Sequence, residues 1–180
     1  RSLQKPHPFM EKNNLGHLVP FQHEDLEIWR QNFKGLMYHH KETNLIISGA
    51  IDDIWIDVDT EELIVVEYKT TSTSKEISLY DGTKWKEAYR RQIDIYQWLL
   101  KMNGFKVSDD SIFLFSNGLK TTDTFDDVLK FETFILEYKG STDWVESKIK
   151  EIKKVLNQKT IPKSDKDCET CSYVETASSF

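Results

Sequence analysis

The sequence predicts a mixed α/β fold built on one central β-sheet with helices packed against it. Two observations carry this reading. Apolar residues recur at steps of three and four in three stretches, the spacing of one helical face, while four others are rich in Ile, Val, Phe and Trp and have the length of strands. The stretches follow one another as helix, strand pair, helix, two strands, helix, an order that places helices on the faces of a sheet. Punctuation agrees: no proline occurs between Phe21 and Ile161, and Gly35, Gly49, Gly82, Gly104, Gly118 and Gly140 fall mostly where one pattern gives way to the next.

Taken in order, Leu26, Trp29, Phe33 and Leu36 predict a helix from Glu24 to about Leu36. Asn44 to Val58, the acidic turn Asp59-Thr60-Glu61-Glu62, and Leu63 to Thr71 predict a hairpin of two strands. Thr83 to Met102 is the strongest helix, with Trp85, Ala88, Gln92, Tyr96 and Leu99 on one face. Ser111 to Ser116 and Leu129 to Tyr138 predict two more strands. Val145, Ile149, Ile152 and Leu156 predict a helix over Thr142 to Gln158. Residues 1–20, which hold Pro6, Pro8 and Pro20, and residues 159–180 are expected to be irregular ends of one 180-residue domain.

Composition narrows the function. With 38% hydrophobic and 12% aromatic residues the chain can build a core, which excludes wholesale disorder. No apolar run is long enough to span a bilayer and no leader is evident, so a soluble, cytoplasmic protein without a membrane partner is expected. The chain opens on Arg1 and not Met, so a preceding segment could hold part of a site. Twenty-four basic against 30 acidic residues give a net charge of −6, the wrong sign for coating nucleic acid through the overall field. There is no phosphate-cradling glycine loop, no Gly-x-Ser-x-Gly elbow and no His-Glu-x-x-His helix. The five histidines all fall in the first 40 residues, and His39-His40 is expected to lie in a loop.

The hairpin carries chemistry. Asp52 and Asp53 interrupt an apolar strand, and Leu63-Ile64-Val65-Val66 runs directly into Glu67-Tyr68-Lys69. Alternation puts Glu67 and Lys69 on one face and Tyr68 on the other. Two carboxylates beside a lysine at the end of buried strands need compensation, and hard oxygen ligands suit Mg²⁺ or Mn²⁺. An ordinary Glu67–Lys69 ion pair is the alternative. Glu137-Tyr138-Lys139 repeats the tripeptide without the surrounding pattern and reads as a strand end. Gln92 is the strongly polar residue on its predicted helix face, one turn before Tyr96, so both polar ends can point to one place.

Gly49-Ala50-Ile51-Asp52, Glu67-Tyr68-Lys69 and Gln92-x-x-x-Tyr96, in this order, resemble the PD-(D/E)xK nuclease superfamily, in particular its RecB-like exonuclease branch. The resemblance implies a restriction-endonuclease-like core and hydrolysis of DNA phosphodiester bonds, in repair, recombination, or phage- or CRISPR-related processing. It implies Asp52, Glu67 and the backbone carbonyl of Tyr68 as ligands of Mg²⁺ or Mn²⁺, Lys69 as the residue that positions or activates water, and Gln92 and Tyr96 as orienting groups. A further ligand usually lies on an earlier helix, where His23, Glu24 and Glu27 are the candidates. The branch often ends in a cysteine-containing segment, which Cys168 and Cys171 resemble. Two cysteines cannot hold an iron–sulfur cluster unaided. Zinc would need His7, His17 or a preceding segment, and two reduced thiols are the alternative.

Lys84, Lys86, Arg90 and Arg91 against Glu87 give a local charge of +3 at the start of the Gln92 helix, which predicts a nucleic-acid contact. Residues 143–166 also carry +3, and either stretch could be a solvated face. The alternative to an enzyme is a noncatalytic nucleic-acid-binding or assembly module that retains the fold.

Overall fold

Leu63 to Glu67 is a run of five buried residues, the pattern of a strand covered on both faces, and it lies at the middle of the fold. The computed structural model describes residues 5–120, 124 and 127–178. In chain order the elements are α1 (Pro8–Lys12), β1 (Leu18–Pro20), α2 (Leu26–Trp29), β2 (Leu36–His40), β3 (Leu45–Gly49), β4 (Asp53–Asp57), β5 (Leu63–Thr71), α3 (Lys84–Met102), β6 (Val107–Gly118), β7 (Phe131–Lys139), α4 (Val145–Leu156) and α5 (Glu169–Ala177). A five-stranded mixed sheet has the order β1-β4-β5-β6-β7, and β2 and β3 form a separate antiparallel pair. The parallel pair is β5 with β6; such a pair needs a long crossover, and α3 supplies it. This is the mixed α/β architecture with a central sheet flanked by helices that the sequence predicts.

One face of the sheet packs Val65, Phe113 and Phe115 with Ile93, Leu99 and Leu100 of α3. The other packs Trp55, Ile64, Val66 and Ile112 with Met10 and Leu15. Two buried polar residues fasten α3 in place. The Asp94 carboxylate accepts hydrogen bonds from Tyr138 Oη (2.9 Å), Ser141 N (3.2 Å) and Trp144 Nε1 (2.8 Å). The Gln97 amide lies 2.9–3.0 Å from the carbonyls of Ser108 and Asp109 and 2.7 Å from Ser111 Oγ.

Several expectations are corrected. The helix over 24–36 is one turn, Leu26–Trp29; Phe33 is fully exposed, Gly35 takes φ +68°, and Leu36 begins a strand. The single strand expected over 44–58 is two strands in different sheets. The chain turns between them because Ile51 N–H bonds to Trp29 O and not to a strand neighbour. The predicted face of α3 holds only in its C-terminal half: Tyr96 and Leu99 are buried, whereas Trp85 and Ala88 are exposed, and Lys86, Ile93, Asp94 and Gln97 are buried in addition. On α4, Val145 and Ile149 are buried but Ile152 and Leu156 are exposed. Both ends carry structure: α1, capped by His7 Nδ1 and opened by Pro8, precedes β1, and α5 follows its cap Cys168. His39 and His40 lie in β2 and not a loop; His40 is buried between Thr43 Oγ1 (2.8 Å) and Glu146 Oε2 (2.9 Å).

Candidate active site

Asp52 stands in the turn that the β3–β4 break creates, not on a strand. Two bonds to α2 and its cap hold this turn: Ile51 N–H to Trp29 O (3.1 Å) and Arg30 Nε to the Asp52 carbonyl (2.9 Å). The pairing of β4 with β5 runs from Ile56↔Leu63 to Asp53↔Val66, and past it Tyr68 N–H donates to Asp52 Oδ2 at 3.0 Å. The Asp52 carboxylate thus caps β5 where β4 has left it, next to the carboxyl of Glu67.

On β5, Lys69 Nζ donates to Glu67 Oε1 at 2.5 Å and to Gln92 Oε1 at 3.3 Å. Gln92 Nε2 donates to Tyr96 Oη at 2.7 Å, which fixes the amide with its oxygen toward the lysine. The Tyr89 ring lies under the ammonium, 4.1 Å from centroid to Nζ. Gly49, the first residue of the Gly-x-x-Asp pattern, leaves room for Tyr96: a β-carbon there would lie 2.5 Å from Tyr96 Cε1. The structure therefore brings Asp52, Glu67, Lys69, Gln92 and Tyr96 together. Asp53 turns to the opposite side, where its Oδ2 accepts from Tyr68 Oη at 2.6 Å.

Glu67 is 2% exposed, and burial pushes its carboxyl up to about 7; the Lys69 bond offsets part of this and the Asp52 charge adds to it. Its Oε2 atom is buried with no hydrogen-bond partner. Burial pushes the Tyr96 hydroxyl up to about 12, so it serves as a neutral hydrogen-bonding group.

A family model described as the PD-(D/E)XK nuclease superfamily matches residues 8–176. The chain belongs to the PD-(D/E)XK nuclease superfamily. Its mixed sheet with flanking helices is the restriction-endonuclease-like fold of that superfamily, whose members are generally nucleases that use divalent metals such as Mg²⁺. Neither the curated proteins nor the solved structures contain a match to this chain.

The donor set fits a superfamily metal. A buried carboxylate oxygen without a partner, beside a second carboxylate, is costly unless a cation completes it. Among the described residues no group of three or more His, Cys, Asp and Glu forms, and the carboxylates set beside one another here are Asp52 and Glu67. Mg²⁺, which keeps several waters and takes one or two carboxylates, suits such a pair.

The structure does not bring His23 to this pair. Its ring stacks on Trp29 (4.4 Å) and meets Phe105 edge-on, and Nδ1 accepts from Asp25 N–H. Glu24 and Glu27 are exposed, and Glu27 pairs with Arg30. The basic stretch is also not the open patch expected. Lys86 is 6% exposed, bonded to Asp81 and set over the Trp85 ring; it holds the Asp81 carboxyl down at about 2. Arg90 donates to the Leu79 carbonyl and lies over Tyr80. Lys84 and Arg91 remain exposed, paired with Asp167 (3.0 Å) and Glu87 (3.5 Å).

Cys168 caps α5, its Sγ accepting from Cys171 N–H at 3.4 Å, and that bond holds its thiol below the usual range. Both thiols are free. The zinc arrangement with His7 or His17 does not form: His7 Nδ1 caps α1, and His17, whose carbonyl accepts from Val58 N–H, joins no such group. Sequence reasoning missed Asp94, Gln97 and Tyr89. The first two are polar residues within the Gln92 helix whose partners lie 11 to 50 residues away, so no local spacing marks them. Tyr89, one turn before Gln92, carried a usable signal.

No helix among the described residues is long and apolar enough to cross a membrane.

Proposed function

We propose that this protein is a divalent-metal-dependent deoxyribonuclease of the RecB-like branch, hydrolysing DNA phosphodiester bonds in an exonuclease-like manner during repair, recombination, or phage- or CRISPR-related processing. The observation that carries the reading is the Lys69 ammonium, held by Glu67 Oε1 and Gln92 Oε1 beside the unpartnered Glu67 Oε2. A module that only bound DNA would have no use for burying these charges.

Asp52, Glu67 and the Tyr68 carbonyl would hold the cation. Bound there, Mg²⁺ or Mn²⁺ supplies a water of lowered pKa and offsets charge on the phosphoryl oxygens. The rest falls to the chain. An ammonium has three N–H groups. Two of those on Lys69 are committed to oxygens, and the Tyr89 ring is a weak acceptor for the third, so that N–H is available to orient a water or a phosphate oxygen. Gln92, held by Tyr96, keeps the ammonium from swinging away.

The test is cleavage of end-labelled linear and closed circular DNA with Mg²⁺ or Mn²⁺. Activity should vanish with chelator and in Asp52→Asn, Glu67→Gln and Lys69→Ala. Wild-type cleavage by a folded Lys69→Ala protein would overturn the assignment, and linear-only cleavage would mark an end requirement.

A further inference from the structure

The stripe of apolar residues on α3 runs past the core into solvent. Its last member, Trp85, is 48% exposed on the first turn of the helix. The other four tryptophans are buried or half-buried, and three donate their indole N–H to carboxylates: Trp55 to Asp53, Trp98 to Glu146 and Trp144 to Asp94. Trp85 differs in its surroundings. It meets the Tyr89 ring edge-on at 5.2 Å, and the Tyr89 ring in turn underlies Lys69 Nζ at 4.1 Å. Lys86, buried and bonded to Asp81, covers one face of the indole at 5.1 Å, which leaves the other face for a base, and Lys84, exposed and paired with Asp167, precedes it in sequence.

Two short aromatic steps thus connect the candidate catalytic lysine to an indole half in solvent. The indole therefore lies within about 9 Å of Lys69 Nζ, close enough for a base near the reacting phosphate to reach it. A half-exposed aromatic face next to a site for phosphodiesters is the arrangement on which unpaired bases stack. A base inside a duplex offers no free face. We infer that Trp85 is a stacking platform for an unpaired base of the substrate, and that the strand entering the site is single-stranded DNA or a frayed end. This rests on the nuclease reading of the Asp52–Glu67–Lys69 group and adds a substrate class and a positioning residue to it.

The test scans abasic nucleotides through a single-stranded oligonucleotide and measures binding without divalent cation, using wild type, Trp85→Phe and Trp85→Ala. Wild type should bind the intact strand roughly 10-fold or more tighter than the strand abasic at one position near the cleaved bond. Trp85→Phe should keep most of that preference and Trp85→Ala should bind both strands alike. Tryptophan emission should be quenched by the intact strand in wild type only. An Ala variant that retains the preference, or loses affinity for both strands equally, overturns the inference. Cleavage by wild type in the presence of Mg²⁺ is scored separately. Cleavage without base preference leaves the nuclease reading standing and removes Trp85 from it; base preference without cleavage does the reverse.

Discussion

The ring of Tyr96 occupies the space that a side chain on Gly49 would need, with Tyr96 Cε1 2.5 Å from the position of a β-carbon. The Gly of the first motif is therefore tied to the Tyr of the third by contact. Gly49→Ala should displace Tyr96, loosen its 2.7 Å bond from Gln92 and so free the lysine. Overpacking of this kind costs about 1–3 kcal/mol. Urea unfolding should show that loss, with cleavage reduced by about 10-fold or more in protein that remains folded. Tyr96→Phe should lose activity with a smaller loss of stability; full activity in both variants would separate Gly49 and Tyr96 from the site.

Glu67 makes stability depend on pH in an unusual direction. Its folded carboxyl is raised from an ordinary 4.5 to about 7, so between those values the unfolded chain releases a proton that the folded one retains. Stability without divalent cation should fall as pH rises from about 4.5 to 7, by roughly 3 kcal/mol. Glu67→Gln should remove most of this slope. Melting temperatures across that pH range, with chelator present, provide the check, and a wild-type curve as flat as the variant's would count against the buried ionisable carboxyl.

The two Glu-Tyr-Lys copies should separate cleanly. Glu137 is exposed on β7, and its neighbour Tyr138 bonds to Asp94, so the second copy is a packing feature. Glu137→Gln should cleave at the wild-type rate while Glu67→Gln falls by at least about 100-fold, measured side by side.

Substitutions in the basic stretch should divide by burial. Lys86→Ala removes the partner of Asp81 and packing on Trp85, and should lower stability by about 1–2 kcal/mol. Lys84→Ala and Arg91→Ala should leave stability within about 0.5 kcal/mol and weaken DNA binding, with a shallower salt dependence. Titrations at several salt concentrations distinguish the two classes.

The three motifs were legible because each is local: a glycine and an aspartate at a strand's end, alternation on β5, and a one-turn step on α3. The central sheet was legible for the same reason. What escaped on α3 depends on partners outside that helix. Lys86, Asp94 and Gln97 are buried because Asp81, Tyr138, Trp144 and Ser108 meet them, and none of these is marked by helical spacing. The apolar stripe suggested that Trp85 was core, whereas it leaves the core at the site. The break at 50–52 is fixed by Trp29 and Arg30; Gly49, Asp52 and Asp53 mark the place in the sequence, but not that the chain leaves one sheet for another there.

Asp94 and Gln97 clamp the C-terminal half of α3 into the core through buried polar bonds, whereas its first two turns are held through the side chains of Lys86 and Arg90 against the preceding loop. Amide hydrogens from about residue 93 onward should exchange with solvent only through large opening events, while those of the first two turns exchange early. Gln92 sits at the boundary, so one anchor of the lysine belongs to the clamped part, while Tyr89, the ring under the ammonium, belongs to the early-exchanging part and transmits any shift of Trp85 to it.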